Sequence, residues 1–589
     1  MLTHNTASVS RRVTMARSPL FVPARSFNTR RFFRHDAARP SSLASTASSS
    51  SSSGTVGLSP ALRAPFERLQ HAASANPRRA KIAGGVALAV LEFSALALSP
   101  KETDPIVDRE NPADAAVLKT IPLTKLLNGW FVYGCVSVPI LVDMSDMILK
   151  VGMSVPLVST AFRWFIRNTF FYQFLAGETT EEALPRIAEL RQRSIGTLLG
   201  YNIEALEGGA AKPESLIRTQ LEETFNAIKT NGSFGASHAS PQAVASGDTR
   251  SWVRIKLTGL IADPKVIRRA SDAILANRAA NGTDKTVYFP GAPVDGDWDY
   301  LFSRASPLSE QDRTELLKLY AISQDLMHAG QKYSVRVIVD AEQTWYQPLI
   351  DVATEELMRE FNTGKDAKPP VVVASFQAYL RRNSDLIMDQ LERAQKYGYK
   401  LLIKQIRGAY HPYEVAKWTE GKRAGPPPVW STKPETDQSY YDGMELGCKA
   451  IRKHIDQPLS HADLGFIAAT HNELSVDQAF ELISKHSLGE KESDGSYRLS
   501  DEVSTRLSFA QLYGMKDNLT NRIAGMLKSE TGLPLVCKSM SYGDLDEALP
   551  FLARRAIENK AIMEGRGGAS SERKRLGKEI ARRLLPWRE

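Results

Sequence analysis

Ser334–Ala341 reads SVRVIVDA, and further along Val371–Gln377 reads VVVASFQ and Lys400–Gly408 reads KLLIKQIRG. Each is a short β-branched run that ends on polar residues, and each is followed by a long amphipathic stretch. That is the pattern of repeated βα units, which build a parallel sheet. The same pattern extends on either side. WVRIKLT (252–258), GFIAAT (465–470), RLSFAQL (506–512) and LPLVCKS (533–539) bring the candidate strands to seven. A closed (βα)8 barrel is the simplest α/β architecture for such a series, and it gathers the polar strand ends at one mouth. Those ends are Lys256, Asp340, Gln377, Arg407 with Gly408, Thr470-His471-Asn472 and Gln511.

Upstream, TEEALPRIAELRQRSIGTLLGYNIEALE places Leu184, Ile187, Leu190, Ile195, Leu198 and Leu199 on a face of roughly helical period, so helix is expected through it. The Gly-, Ser- and Asn-containing stretch Asn231–Gly247 reads as a loop or boundary. Between Leu118 and Gln173 the apolar runs LLNGWFVYGCVSVPILVDMSDMILKVGM and FRWFIRNTFFYQFL read as an all-α N-terminal region packed on the barrel. Aromatic residues with basic neighbours leave attachment to a bilayer surface open there. Ile82–Leu98 is apolar but shorter than a spanning helix needs and contains Glu92, so it reads as a packed helix.

The formal charge of +9 does not point to nucleic acid, because most of it sits before Gly54, where eight arginines face a single acid, Asp36. An Arg- and Ser-rich segment almost without acids has the composition of a mitochondrial transit peptide. The expected division is 1–54 transit peptide and linker, 55–240 helical region, and 241–589 barrel. Cys135, Cys448 and Cys537 lie far apart with no CxxC pair, which excludes a disulfide framework or a zinc site. No metal is expected from His461 and His471. No GxGxxG, GxxxxGK[ST], GxSxG or HExxH motif is present, so any dinucleotide is held without a Rossmann fingerprint.

The strand ends make a polar site of mixed sign: Lys256, Lys404 and Arg407 suit an anionic cofactor or a carboxylate, and Asp340 supplies a counter-charge. Near the C-terminus, YGDLDEALPFLARRAIENK (542–560) is a helix in which Arg554 and Glu558, at i and i+4, share a face. Its adjacent guanidinium groups, Arg554 and Arg555, suit bidentate binding of a carboxylate.

Seven motifs, IVDAEQTWYQPLID, FQAYLRRNSDLIMDQLERA, IKQIRGAYHPYE, TKPETDQSY, IAATHNEL, FAQLYGMKDN and ALPFLARRAIEN, occur in this order, and the series resembles that of the proline dehydrogenases, in particular the eukaryotic mitochondrial type. The resemblance implies a distorted (βα)8 TIM-like barrel with FAD across its mouth. It further implies that Lys256, Arg554 and Arg555 grip the proline carboxylate, that Glu558 holds the arginines, and that Asp340, Tyr410 and Leu512 shape the ring pocket. Gln377, Lys404, Arg407, Gly408 and Ala409 would meet the flavin or its phosphates, joined by Ser431, Lys433, Thr436, Thr470, His471, Asn472 and Gln511. The implied reaction passes hydride from proline to the flavin, yields 1-pyrroline-5-carboxylate, and sends the electrons to a membrane quinone, which accords with peripheral association with the inner membrane.

Two positions depart from the family's bacterial members. Ser539 stands four residues before Gly543 where many carry tyrosine, which opens the pocket to hydroxyproline, and Lys404 stands where they use arginine. Two further readings of other classes follow from the residues. Lys256 suits a Schiff-base aldolase if its pKa is depressed, and the apolar N-terminal third suits a non-enzymatic scaffold on a membrane.

Overall fold

The structure is a computed structural model that describes residues 111–584 apart from 155, 203–210, 284–286, 364–369, 458–463 and 564–567. The expected transit peptide, the apolar run at 82–98 and His461 therefore lie outside the described residues.

Eight parallel strands close into a barrel: β1 (Ile195–Tyr201), β2 (Ser251–Ile255), β3 (Arg336–Val339), β4 (Val372–Gln377), β5 (Leu401–Ile406), β6 (Leu464–Ala469), β7 (Leu507–Leu512) and β8 (Val536–Tyr542). They pair in chain order, and β8 returns to β1 in a seven-residue ladder from Ile195↔Val536 to Tyr201↔Tyr542. The mouth and its brace are built by helices α1 (Pro112–Thr120), α2 (Leu123–Val136), α3 (Thr180–Gln192), α4 (His411–Glu420), α5 (Lys433–Asp456), α6 (Glu473–Lys485), α7 (Asp517–Met526), α8 (Leu545–Met563) and α9 (Ala569–Leu584).

The eighth strand corrects the sequence reading. Ile195, Leu198 and Leu199 do not continue a helix; they form β1, inside the stretch expected to be all-helical. Helix α3 stops at Gln192, and Ser194 takes φ 57°, a left-handed turn that helix cannot propagate through. Leu198 points into the barrel while Ile195 and Leu199 pack outward against helices. A strand buried on both faces loses its polar alternation, and a short apolar run of that kind mimics a helical face.

One side chain from every strand fills the barrel's interior: Leu198, Trp252, Ile338, Val373, Leu402, Ile467, Ala510 and Cys537 form a single apolar cluster. Because strand side chains alternate, the next inward positions toward the mouth are Gly200, Arg254, Asp340, Ser375, Lys404, Ala469, Leu512 and Ser539. The interior thus changes from apolar to charged within one step of the period.

The N-terminal helices and α9 form a brace on the same side as β7. Arg575 of α9 pairs with Asp114 of α1 at 2.8 Å, and Asn521 of α7 donates to the same carboxylate at 2.8 Å. Arg583 donates to the last carbonyls of α1, Leu118 and Ile121, which also meets the negative end of that helix. Leu118, Leu126, Tyr133, Ala569 and Leu576 pack between them. Among the described residues no helix is long and apolar enough to cross a membrane.

Candidate active site at the barrel mouth

Asp340 follows β3 directly and is anchored by its amide, which donates to Ile255 O at 2.8 Å. Its carboxylate takes an ion pair from Lys404 of β5 on one oxygen, and Arg254 of β2 lies 3.6 Å from the other. Burial pushes this carboxyl up, but Lys404 and then Arg254 outweigh it, so Asp340 is held below the usual range and stays charged. Arg254 also donates to Ser541 Oγ at 2.6 Å. Gly200 makes room for that guanidinium, since a Cβ there would lie 2.6 Å from Arg254 Nε.

Lys256 ends the β2 segment. Tyr410 holds its ammonium above the ordinary value, burial opposes this, and Glu342 and Asp340 add to the rise. Burial is in turn the main influence on Tyr410, whose phenol is pushed up, with Lys256 opposing. Glu342, 3% exposed, accepts from Thr258 N at 3.2 Å and from its hydroxyl, tying the loop after β2 to the loop after β3. Glu414 of α4 ties the loop after β3 to the helix after β5, across β4, accepting from Thr344 N at 2.8 Å and from Thr344 Oγ1. These two buried carboxylates fix the loops that present Asp340 and Tyr410.

Arg555 of α8 is 6% exposed, packs over the Phe551 ring at 4.8 Å and forms an ion pair with Glu558. The spacing of that pair is i, i+3, and the Glu558 charge also acts on Arg554, raising it. Arg555 lies within electrostatic reach of Arg254 and Tyr410, which face the mouth from β2 and the start of α4. Burial first, and Arg555 second, bring Arg554 down to about 10.

The expected cofactor residues divide by how their polar atoms are used. Gln377 is 3% exposed, and both its amide oxygen and nitrogen lack any partner among the described residues. Gly408 takes φ 118°, and a Cβ there would meet the Tyr379 ring at 2.4 Å, so only glycine lets the chain turn this close to Tyr379. Arg407 is held by Asp437 at 3.0 Å, Ser475 at 2.7 Å and Thr470, with its plane over Tyr440 at 4.4 Å. Asn472 caps α6 by accepting from Leu474 N, and His471 Nε2 accepts from Leu512 N at 3.3 Å. Thr436 is buried and donates to Thr432 O, whereas Ala409, Ser431 and Lys433 are exposed, and Lys433 pairs with Asp437. Gln511 differs from the rest. It stands on the outward side of β7, where its amide bridges Thr470 O at 3.2 Å and Thr520 of α7 at 3.1 Å.

Arg254, Glu342 and Glu414 escaped the sequence reading. The parity of β2 marks Arg254, two residues before Lys256 on the same inward row; nothing local marks the two glutamates. His411 Nε2 lies 2.8 Å from Trp430 O, tying the start of α4 to the end of the KWTEGKRAGPPPVW segment. No group of three or more His, Cys, Asp or Glu is placed to hold a metal among the described residues.

A profile of the family described as proline dehydrogenase matches residues 183–565. The chain is 26% identical over 449 residues to "Proline dehydrogenase 1, mitochondrial" of Dictyostelium discoideum, covering 74% of this chain and 68% of that protein. It is 27% identical to "Proline dehydrogenase 2, mitochondrial" of Arabidopsis thaliana, covering 83% and 94%, and 26% identical to the "Hydroxyproline dehydrogenase" of Xenopus laevis, covering 81% and 91%. Among solved structures, proline utilization A from Bdellovibrio bacteriovorus aligns with a TM-score of 0.49 at 17% identity, covering 80% of this chain and 40% of that one.

Proposed function

Because the chain belongs to the proline dehydrogenase family, we propose that it oxidises L-proline to 1-pyrroline-5-carboxylate at a bound FAD held across the barrel mouth. The observation that carries this is the convergence of Lys256, Asp340, Lys404, Tyr410 and Arg555 beside Gln377, a buried amide with no partner on either atom among the described residues. A buried amide left unpaired is costly, and a planar ring carrying both donors and acceptors is the partner that would satisfy it. The left-handed turn at Gly408, the neutral His471 and the arginine at 407 fit the same group. FAD, when bound, supplies the two-electron acceptor for the hydride.

The chain's own residues bind and orient. Lys256 with Arg554 and Arg555 takes the substrate carboxylate, Glu558 holds Arg555 in place, and Tyr410 and Leu512 wall the ring. Asp340 keeps the cations of the pocket in balance without becoming a base, since Lys404 and Arg254 hold it charged. The amine's proton leaves to solvent. Lys404, Arg407 and Gly408 would lie against the flavin, where cations favour its reduced, anionic form. Ser431, Lys433 and Thr436 would meet the rest of FAD. A Schiff-base role for Lys256 is disfavoured, because such a lysine needs a depressed pKa and here the surroundings raise it.

The electrons would pass to a quinone at the inner mitochondrial membrane. Exposed Met147, Ile148, Trp164 and Phe165 on the N-terminal helices suit peripheral contact there. The Arg-rich segment 1–54 suits import, with 55–240 and 241–589 as the helical and catalytic regions, the former lending β1 to the barrel. A second reading, hydroxyproline oxidation, is favoured by Ser539, which stands inward beside Leu512 and Leu198.

The test is direct. The purified protein should be yellow, and its flavin band should bleach when L-proline is added without oxygen. A colourless protein would refute the reading, as would a flavin untouched by both proline and trans-4-hydroxyproline. The scaffold reading predicts in addition that Arg555→Ala costs no activity.

A further inference from the structure

Lys538 stands on the outward side of β8 at 2% exposure, where an ammonium without partners would be very costly. Its three protons are spent on Leu512 O at 3.2 Å, Met515 O at 2.7 Å and the Asp517 carboxylate at 2.7 Å. All three acceptors lie on the short turn that carries the chain from β7 into α7. From the other side Tyr133 of α2 donates its hydroxyl to Gly514 O at 2.7 Å. Gly514 takes φ 70° so close to the N-terminal region that a Cβ there would lie 1.9 Å from Gln173 O.

The first residue of this turn reaches the site. Leu512 N–H donates to His471 Nε2 at 3.3 Å. A ring nitrogen that accepts carries no proton, so neutral His471 holds its proton on Nδ1. That atom is buried and has no partner among the described residues.

We infer that Lys538 is a positioning residue: by pinning the turn after β7 it keeps the Leu512 amide on His471 Nε2, fixes the Nδ1–H tautomer, and reserves that N–H for an acceptor atom of the cofactor. Only the last clause rests on the flavoenzyme reading. The charges around the ring act in the same sense. Burial is the largest influence holding His471 well below its usual range, followed by Lys538 from β8, Arg555 from α8, Lys516 from the turn and Arg407 after β5. The imidazole is therefore neutral, and its tautomer is set by the one hydrogen bond that Lys538 supports.

The experiment is nitrogen NMR on the full chain with its flavin and 15N-labelled histidine, His471→Asn identifying the signal. Nδ1 should give a protonated, pyrrole-type shift and Nε2 an unprotonated, pyridine-type shift. The opposite assignment overturns the inference. Lys538→Met should mix the two tautomers and weaken FAD binding about tenfold, one hydrogen bond's worth. A folded Lys538→Met protein with unchanged His471 shifts and FAD affinity also overturns it. Should that variant fail to fold, the tautomer in the unaltered chain decides. A colourless preparation would sink the flavin reading, while the tautomer would still be read.

Discussion

Arg254 Nη1 lies 3.6 Å from Asp340 Oδ2, on the side of the carboxylate that Lys404 leaves open. One acid is thereby shared between cations from β2 and β5, and it serves as the electrostatic keystone of a mouth that would otherwise concentrate positive charge.

Asp340→Asn should therefore destabilise the fold by about 3 kcal/mol near neutrality, since it strands Lys404 and Arg254 in a buried site. The carboxyl's folded pKa is depressed, so its contribution is present above the unfolded value, about 3.9, and is lost as pH falls through the folded one. Urea denaturation of both proteins at neutral pH and well below about pH 4 checks this. The gap should narrow in acid; an equal gap at both would contradict the shared-carboxylate picture.

Arg555 is nearly buried, stacked on Phe551 and oriented by Glu558, so its planar fork is already in place before substrate arrives. Arg555→Lys keeps the charge and gives up the fork. The kcat/KM for proline should fall by about 10- to 100-fold, the worth of a charged hydrogen bond. The loss should lie mainly in KM, because the carboxylate is bound alike before and during hydride transfer. Glu558→Gln should cost less, as Glu558 is 34% exposed and solvent screens its hold. Steady-state kinetics at matched flavin content separates the two.

Gly408→Ala should act on the cofactor before it acts on the fold. At φ 118° a Cβ falls 2.4 Å from the Tyr379 ring, and a side chain in that backbone region costs about 1–3 kcal/mol. Tyr379 is 3% exposed and has little room to retreat, so the turn itself must shift. Flavin absorbance per protein should drop while the melting temperature falls only by a few degrees. Full flavin retention would show that the turn does not touch the cofactor.

Seven of the eight strands were legible because their polar ends interrupt β-branched runs, and Asp340, Lys256 and Arg407 stood at those ends. Strand β1 was not, since Leu198 and Leu199 are buried on opposite faces and leave no alternation to read. Gln511 looked like its neighbours on the strand-end row, yet its odd place in the period turns it toward Thr520 and away from the mouth. The opposite held for Arg254, which an inward parity marks but which sits mid-run among apolar residues. Glu342 and Glu414 act by capping backbone amides on other loops, a relation that no sequence spacing encodes.

Substrate choice should turn on the β8 row. Ser539 pairs in register with Leu512 of β7 and Leu198 of β1, two residues above Cys537 on the inward face, so its small side chain would leave room next to Leu512. A ring bearing a hydroxyl would gain both space and a polar neighbour there, with Ser541, which accepts from Arg254, one step further out on β8. Ser539→Tyr should close that space. The expected result is a ratio of kcat/KM for L-proline over trans-4-hydroxyproline that rises at least about tenfold, the scale on which a filled pocket rejects a small added group. Anaerobic reduction with each amino acid gives the same ratio without a quinone. A ratio unchanged by so large a substitution would mean that the ring does not lie against β8, and the pocket would have to be placed nearer β2 and β3.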